Sequence, residues 1–261
     1  MYRDTDRVHV VINAGNRDRD FRHFLERCGA FDCEVANMSD GQTMLAVQGP
    51  RAAALVASLA DRDILAMGYY RFGRAKVLGI PSLVSRTGYT GEDGFELFFP
   101  GSDARAMWDG LMAKGKAADL RPIGLAARDI LRTEAAMPLY GHELDDDTNP
   151  LEAGLKFGVD LTKEFLGSKP LKAGYEKGLP RKLLGLRLVE RVARPGYPVL
   201  LDGKPVGKVT SGTPSPTLGV NIAMAFVQAS FEAPGGKCQV DIRGRPSPAE
   251  VVPLPFYKRP R

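Results

Sequence analysis

Residues 85 to 100 read SRTGYTGEDGFELFFP, and this stretch sets the reading of the whole chain. Gly88, Gly91 and Gly94 permit positive φ, so the backbone can turn sharply and approach a ligand closely before it extends. The run that follows, Phe95 to Phe99, has strand length and is apolar except for one carboxylate, Glu96. Pattern alone leaves two readings. Either Glu96 faces water on the polar side of a hairpin, or the loop and strand present it to a ligand.

Upstream, VHVVIN at 8 to 13 predicts a buried strand, and NRDRDFRHFLERCG then places Phe21, Phe24, Leu25 and Cys28 at the spacing of an amphipathic helix. TMLAVQGP predicts a further strand, with Pro50 in the first turn of a helix through PRAAALVASLA. AKVLGI, LVSRTGY and FELFF add strands, and their interleaving with helices makes an α+β body.

Downstream, GLAARDILRTEAAM at 124 to 137 predicts a helix without a broad polar face. On a 3.6-residue wheel Arg128, Asp129 and Arg132 share a sector with Leu125, Ala135 and Ala136, while Ala126, Ile130 and Met137 lie opposite. A helix packed on two sides must find partners for its charges, either in an internal ion pair or in a ligand carboxylate. Gly, Pro and Lys gather near 174 to 182 and mark a boundary. Beyond it KLLGLRLVE, YPVLLDGKPVGKVTS, VNIAMAFV and CQVDIRG are short β-rich segments between turns, suited to a small antiparallel barrel or sandwich.

Composition narrows the function classes. The 261 residues are 44% hydrophobic and 26% charged, enough for one large domain or two smaller cores. Apolar runs fall far short of the roughly 20 residues that span a bilayer, and MYRDTDRV has no secretory apolar segment, so a cytoplasmic location without membrane association is expected. Cys28, Cys33 and Cys238 show no paired spacing, which predicts reduced thiols. Neither the scattered His9, His23 and His142 nor the run Asp145 to Asp147 makes a metal motif. A net charge of +5 favours anionic ligands or an acidic protein partner, and the dispersed basic residues argue against nucleic acid.

Four segments in order, SRTGYTGEDGFELFFP, GLAARDILRTEAAMPLYGHELDDDTNPLEAGLKFGVDLTK, KVTSGTPSPTLGVNIAMAFV and LPFYKR, resemble the glycine cleavage system T protein, an aminomethyltransferase family, from about Tyr2 to Arg259. The resemblance implies folate-binding α+β layers over 1 to 176, lacking an N-terminal segment of the family fold, and an antiparallel β-barrel over 177 to 261. Absent strands would leave edges and apolar surface exposed. It implies that the aminomethyl group passes from the lipoyl arm of H protein to tetrahydrofolate, with release of ammonia and formation of 5,10-methylenetetrahydrofolate. By the same match Glu96 binds the pterin, Asn13 and Tyr89 line its pocket, Arg128 takes the anionic end of folate and Tyr257 is a further contact. Tyr140 is assigned to packing rather than to the site.

The family also carries an Asp near the reacting nitrogen, in a Gly-rich stretch expected upstream of Met1. No catalytic residue is therefore assigned within the 261 residues, and these residues alone are expected to make a poor or inactive enzyme, Asp4 and Asp6 being ill placed as substitutes. A eukaryotic source would imply a mitochondrial location with its transit peptide absent from this sequence. Two alternatives share the scaffold. A folate-dependent demethylase domain, as in the dimethylglycine and sarcosine oxidising enzymes, fits less well with RTGYTGEDG and with a start that lacks GxGxxG. A non-enzymatic folate-binding assembly factor for iron–sulfur proteins would carry K-G-C-Y-x-G-Q-E, which this sequence does not contain.

Overall fold

The computed structural model describes residues 1–232 and 236–260. The chain divides into two compact units. One comprises 1–88 and 92–122, and the other comprises 89–91 and 123–261.

The first unit is built on a four-stranded antiparallel sheet in the order β3-β6-β5-β4, from β3 (Gln42–Gln48), β4 (Phe72–Val77), β5 (Ile80–Ser85) and β6 (Gly94–Pro100). Alternation along β6 turns Phe95, Leu97 and Phe99 inward and leaves Glu96 and Phe98 half-buried on the opposite face. The inward side chains meet Val47, Val77 and Val84 of the sheet, Ala52 and Val56 of α2 (Ala52–Ser58), and Met107 and Leu111 of α3 (Ala104–Gly115). Each such side chain contributes about 1.5 to 3 kcal/mol on burial. Gly94 is required where β6 passes β3, because a Cβ there would lie 2.2 Å from the Val47 carbonyl oxygen.

The N-terminal part differs from expectation. VHVVIN is not a buried strand. Only β2 (Val8–His9) pairs, with β1 (Tyr2–Arg3), and Val8, Val10 and Val11 stay 54, 40 and 50% exposed. A two-residue ladder covers too little surface to bury these valines, although Tyr2 on β1 packs against Phe72 and Phe98. The predicted helix forms as α1 (Arg17–Cys28) but buries none of its residues. AKVLGI is a hairpin rather than one strand: Leu78 and Gly79, at φ 52° and 80°, turn the chain between Val77 and its partner Ile80. Pro50 stands just ahead of α2, whose N-cap is Arg51.

In the second unit α4 (Leu125–Glu134) and α5 (Ser168–Lys177) precede a closed six-stranded antiparallel barrel in the order β10-β7-β12-β11-β8-β9. Its strands are β7 (Arg181–Leu188), β8 (Pro198–Leu201), β9 (Lys204–Ser215), β10 (Val220–Gln228), β11 (Lys237–Asp241) and β12 (Pro246–Val252). Leu186, Leu188, Val199, Val209, Ala225 and Val240 fill the interior, and closure removes free strand edges. The α+β body followed by an antiparallel barrel agrees with the reading of the sequence. The change of composition near 176 precedes β7 by a few residues, while the compact unit that holds the barrel reaches back to Ile123.

Candidate functional site

Glu96 sits in the middle of a cross-strand row, paired with Ala46 on one side and Ser85 on the other. Its Oε2 accepts a short hydrogen bond from the Thr87 hydroxyl and a 3.3 Å bond from the Tyr2 hydroxyl. Thr87 is itself 2.9 Å from the Ser85 hydroxyl. The Tyr2 ring packs against Phe72 and Phe98, with centroids 5.3 and 5.7 Å away. No cation pairs with Glu96 and Oε1 has no partner among the described residues, so a half-buried carboxylate is oriented from one side and left with accepting capacity on the other.

Asn13 lies in the same unit, exposed at the start of a short 3-10 turn, and its side chain makes no capping bond. The structure does not join it to Glu96. Met1 is 87% exposed. Asp4 and Asp6 are engaged by Arg74 and Arg7. The Thr5 backbone amide and then Arg74 hold the Asp4 carboxyl below the usual carboxylate range, and Arg7 does the same for Asp6.

Tyr89, Arg128 and Tyr257 belong to the second unit. The Tyr89 hydroxyl donates to the Pro138 carbonyl at 2.6 Å, and the Arg128 guanidinium lies 4.7 Å from the Tyr89 ring centroid. Burial raises the Tyr89 pKa above the ordinary phenol value, against a downward pull from Arg132 and Arg128, so the phenol keeps the proton it donates. Gly91, at φ 77°, follows. A Cβ there would come within 2.8 Å of the Ala135 side chain, so this segment lies directly on the end of α4. The Tyr257 amide donates to the Glu134 carbonyl at 2.8 Å.

The charged sector of α4 divides, and only its buried arginine takes the expected internal ion pair. Arg128 is exposed and makes no ion pair among the described residues. Arg132, one turn on, is 1% exposed. It donates to Asp129, to Glu143 at 3.0 Å and to the Ser211 hydroxyl at 2.8 Å. Glu134 is equally buried and accepts from the hydroxyls of Ser215 at 2.5 Å and Thr217 at 2.9 Å.

The structure therefore gathers two groups within the two units: Tyr2, Thr87 and Glu96 in one, and Tyr89, Arg128 and the α4 network in the other. Sequence reasoning missed Thr87 and Tyr2 as holders of Glu96. Thr87 was visible in the same motif, but Tyr2 stands 94 residues away and gave no signal. A cleft of about 230 Å³ in the barrel unit, lined by His142, Asp145, Thr148, Arg181, Lys208 and Phe226 among others, contains none of the predicted residues. Among the described residues no helix is long and apolar enough to cross a membrane.

Comparison with known proteins bears on both units. Residues 1–163 match the family model described as the GCVT N-terminal domain, and residues 181–258 match the glycine cleavage T-protein C-terminal barrel domain. An aminomethyltransferase of Moorella thermoacetica is 52% identical over 254 residues, covering 97% of this chain and 69% of that protein. One of Rubrobacter xylanophilus is 47% identical over 263 residues, covering 100% of this chain and 69% of that protein. The crystal structure of the glycine cleavage system aminomethyltransferase T of Bartonella henselae superposes with a TM-score of 0.83 at 31% identity, over 94% of this chain and 67% of that one.

Proposed function

The chain belongs to the glycine cleavage T-protein family and is an aminomethyltransferase; we propose that it takes the aminomethyl group from the lipoyl arm of H protein and delivers the carbon to tetrahydrofolate. In that reaction the bond from the lipoyl sulfur to the one-carbon unit breaks, ammonia leaves, and the carbon bridges N5 and N10 of the folate as 5,10-methylenetetrahydrofolate. The protein has to hold the pterin, hold the glutamyl tail and keep water from the reactive carbon.

The observation that carries the reading is the state of Glu96. A carboxylate with one oxygen already oriented by Thr87 and Tyr2, and the other without a partner among the described residues, is built to receive donors. The aminopyrimidine edge of a pterin offers two parallel N–H donors, and hydrogen bonds to a charged acceptor contribute about 1.5 to 3 kcal/mol each. Tyr89 supplies an aromatic ring whose hydroxyl is already engaged and one face of which carries Arg128, so its orientation is fixed and the other face is left for the ligand. Arg128, exposed and without an ion pair among the described residues, offers the planar fork that suits the tail carboxylate. Asn13 and Tyr257 are proposed as further contacts, supported by the motif match alone.

Calorimetric titration with 5-formyltetrahydrofolate tests the assignment. Glu96→Gln replaces an acceptor with an amide donor that faces the pterin donors, and weaker binding is expected. Arg128→Ala is expected to weaken binding of 5-formyltetrahydrofolate more than that of a pterin analogue lacking the glutamyl tail. Binding by both variants as tight as the parent's would remove these roles. Ammonia release from aminomethylated H protein, dependent on tetrahydrofolate, tests the reaction itself.

A further inference from the structure

We infer that Arg132, Glu143 and Ser211 form a positioning assembly that fixes Tyr89, and through it Arg128, for folate; the inference rests on the folate reading above. Arg132 and Glu143 are 1% and 0% exposed, and Ser211 is 1% exposed on β9, so none of the three reaches a ligand. Their bonds converge on the loop that follows α4. Arg132 Nη1 donates to Glu143 Oε2 at 3.0 Å and to the Met137 carbonyl at 3.4 Å. Glu143 Oε2 also accepts from the Leu139 amide at 3.0 Å. Ser211 accepts from Arg132 Nη2 at 2.8 Å and donates to Glu143 Oε1 at 2.6 Å.

Pro138 stands between the two gripped residues, and its carbonyl accepts the Tyr89 hydroxyl. With Met137 held by the guanidinium and Leu139 by the carboxylate, that carbonyl cannot shift without breaking a bond to a buried charge. The ring it anchors is the one that lies under Arg128. Ser211 ties the assembly to the barrel wall, where β9 is paired with β10 and its residue 211 faces Met224. A buried ion pair is a poor source of stability compared with apolar packing, yet its directed bonds impose a geometry that packing would not. Precise sites depend on such support behind the residues that touch the ligand.

A double-mutant cycle tests this in the full chain, with the dissociation constant of 5-formyltetrahydrofolate as readout and thermal melting as a control for folding. Ser211→Ala is expected to weaken binding several-fold, less than the roughly tenfold of one bond to a charged partner because the loss reaches the ligand only through Tyr89. Tyr89→Phe removes the hydroxyl that the assembly controls, so Ser211→Ala added to it is expected to cost little more. Ser211→Thr, which keeps the hydroxyl, is expected to bind as the parent does. Full multiplication of the two single effects would overturn the inference. Should Ser211→Ala not fold, Glu143→Gln replaces it in the same cycle. Failure of the parent to bind the folate would instead refute the folate reading. The positioning claim would then be decided by the ¹³Cζ resonance of labelled Tyr89, assigned through Tyr89→Phe: displacement in the Ser211 or Glu143 variant supports it, and an unchanged resonance overturns it.

Discussion

Glu96 in the sheet unit and Glu143 in the barrel unit are the same residue used in opposite ways. Glu143 is fully buried and saturated, with Arg132 and the Leu139 amide on one oxygen and Ser211 on the other. Glu96 is half-buried, receives hydroxyl donors on one oxygen only and has no cation among the described residues. Arg132 and Arg128 repeat the contrast one helical turn apart, the first enclosed by carboxylates and the second presented over Tyr89. A saturated buried charge holds a structure together in one arrangement. A charge with spare capacity at a partly open face can bind.

The sharpest way to break this comparison is to remove a saturated carboxylate. Glu143→Ala removes the fully buried carboxylate from the Arg132 guanidinium and leaves it only the half-exposed Asp129, and is expected to cost about 3 to 5 kcal/mol in denaturant unfolding. A loss below about 1 kcal/mol would show that Glu143 is not the buried counter-charge. Glu96→Gln, by contrast, should barely change unfolding while costing about 1.5 to 3 kcal/mol in pterin binding, as read by calorimetry. Matching losses in stability and affinity would erase the distinction between the two carboxylates.

Cysteines extend the contrast between regions. Burial pushes the Cys238 thiol in β11 up to about 11, whereas Cys33 is exposed in the first unit. In native protein at about pH 8 a thiol reagent should therefore modify Cys33 rapidly and Cys238 only after denaturation. The sign of the pH effect follows from the raised value: the folded state keeps a proton that the unfolded state releases above about 9, so this contribution to stability is lost as pH rises from 9 towards 11. Melting at about pH 8 and about pH 10.5 should show a smaller alkaline loss in Cys238→Ala than in the parent. The smallest effect is expected on the barrel exterior, where Arg187 and Glu250 are both about half exposed. Arg187→Ala should change unfolding by less than about 1 kcal/mol, and less still in high salt.

Much of this was legible in the chain. The alternation of Phe95, Leu97 and Phe99 marks the face of β6 that enters the core, and therefore the face that carries Glu96, because side chains alternate along a strand whatever it pairs with. Short strands punctuated by turns announce an antiparallel barrel or sandwich for the same local reason, and the closed barrel is what forms. The run AKVLGI misleads because two left-handed residues turn a continuous apolar stretch into a hairpin. VHVVIN misleads because hydrophobicity states only what a segment would gain by burial, and burial needs a surface to pack on.

Sequence by itself determined that strands lie at TMLAVQ and FELFF and that short β-segments follow residue 181, which helix carries charge without a polar face, and which motifs belong to the family, since these depend on local spacing and residue chemistry. Only the tertiary structure decided which of two neighbouring arginines is enclosed and which is presented. Arg128 and Arg132 share one sector of α4, and the helical period alone could not part them. The difference comes from Glu143 and Ser211, the latter 79 residues away, which close around one guanidinium and not the other. Tyr2, 94 residues from Glu96, likewise completes the setting of that carboxylate through contacts that have no periodicity to read. Long-range partners choose the role of a charge because its energy depends on what surrounds it, and the chain assembles those surroundings only on folding.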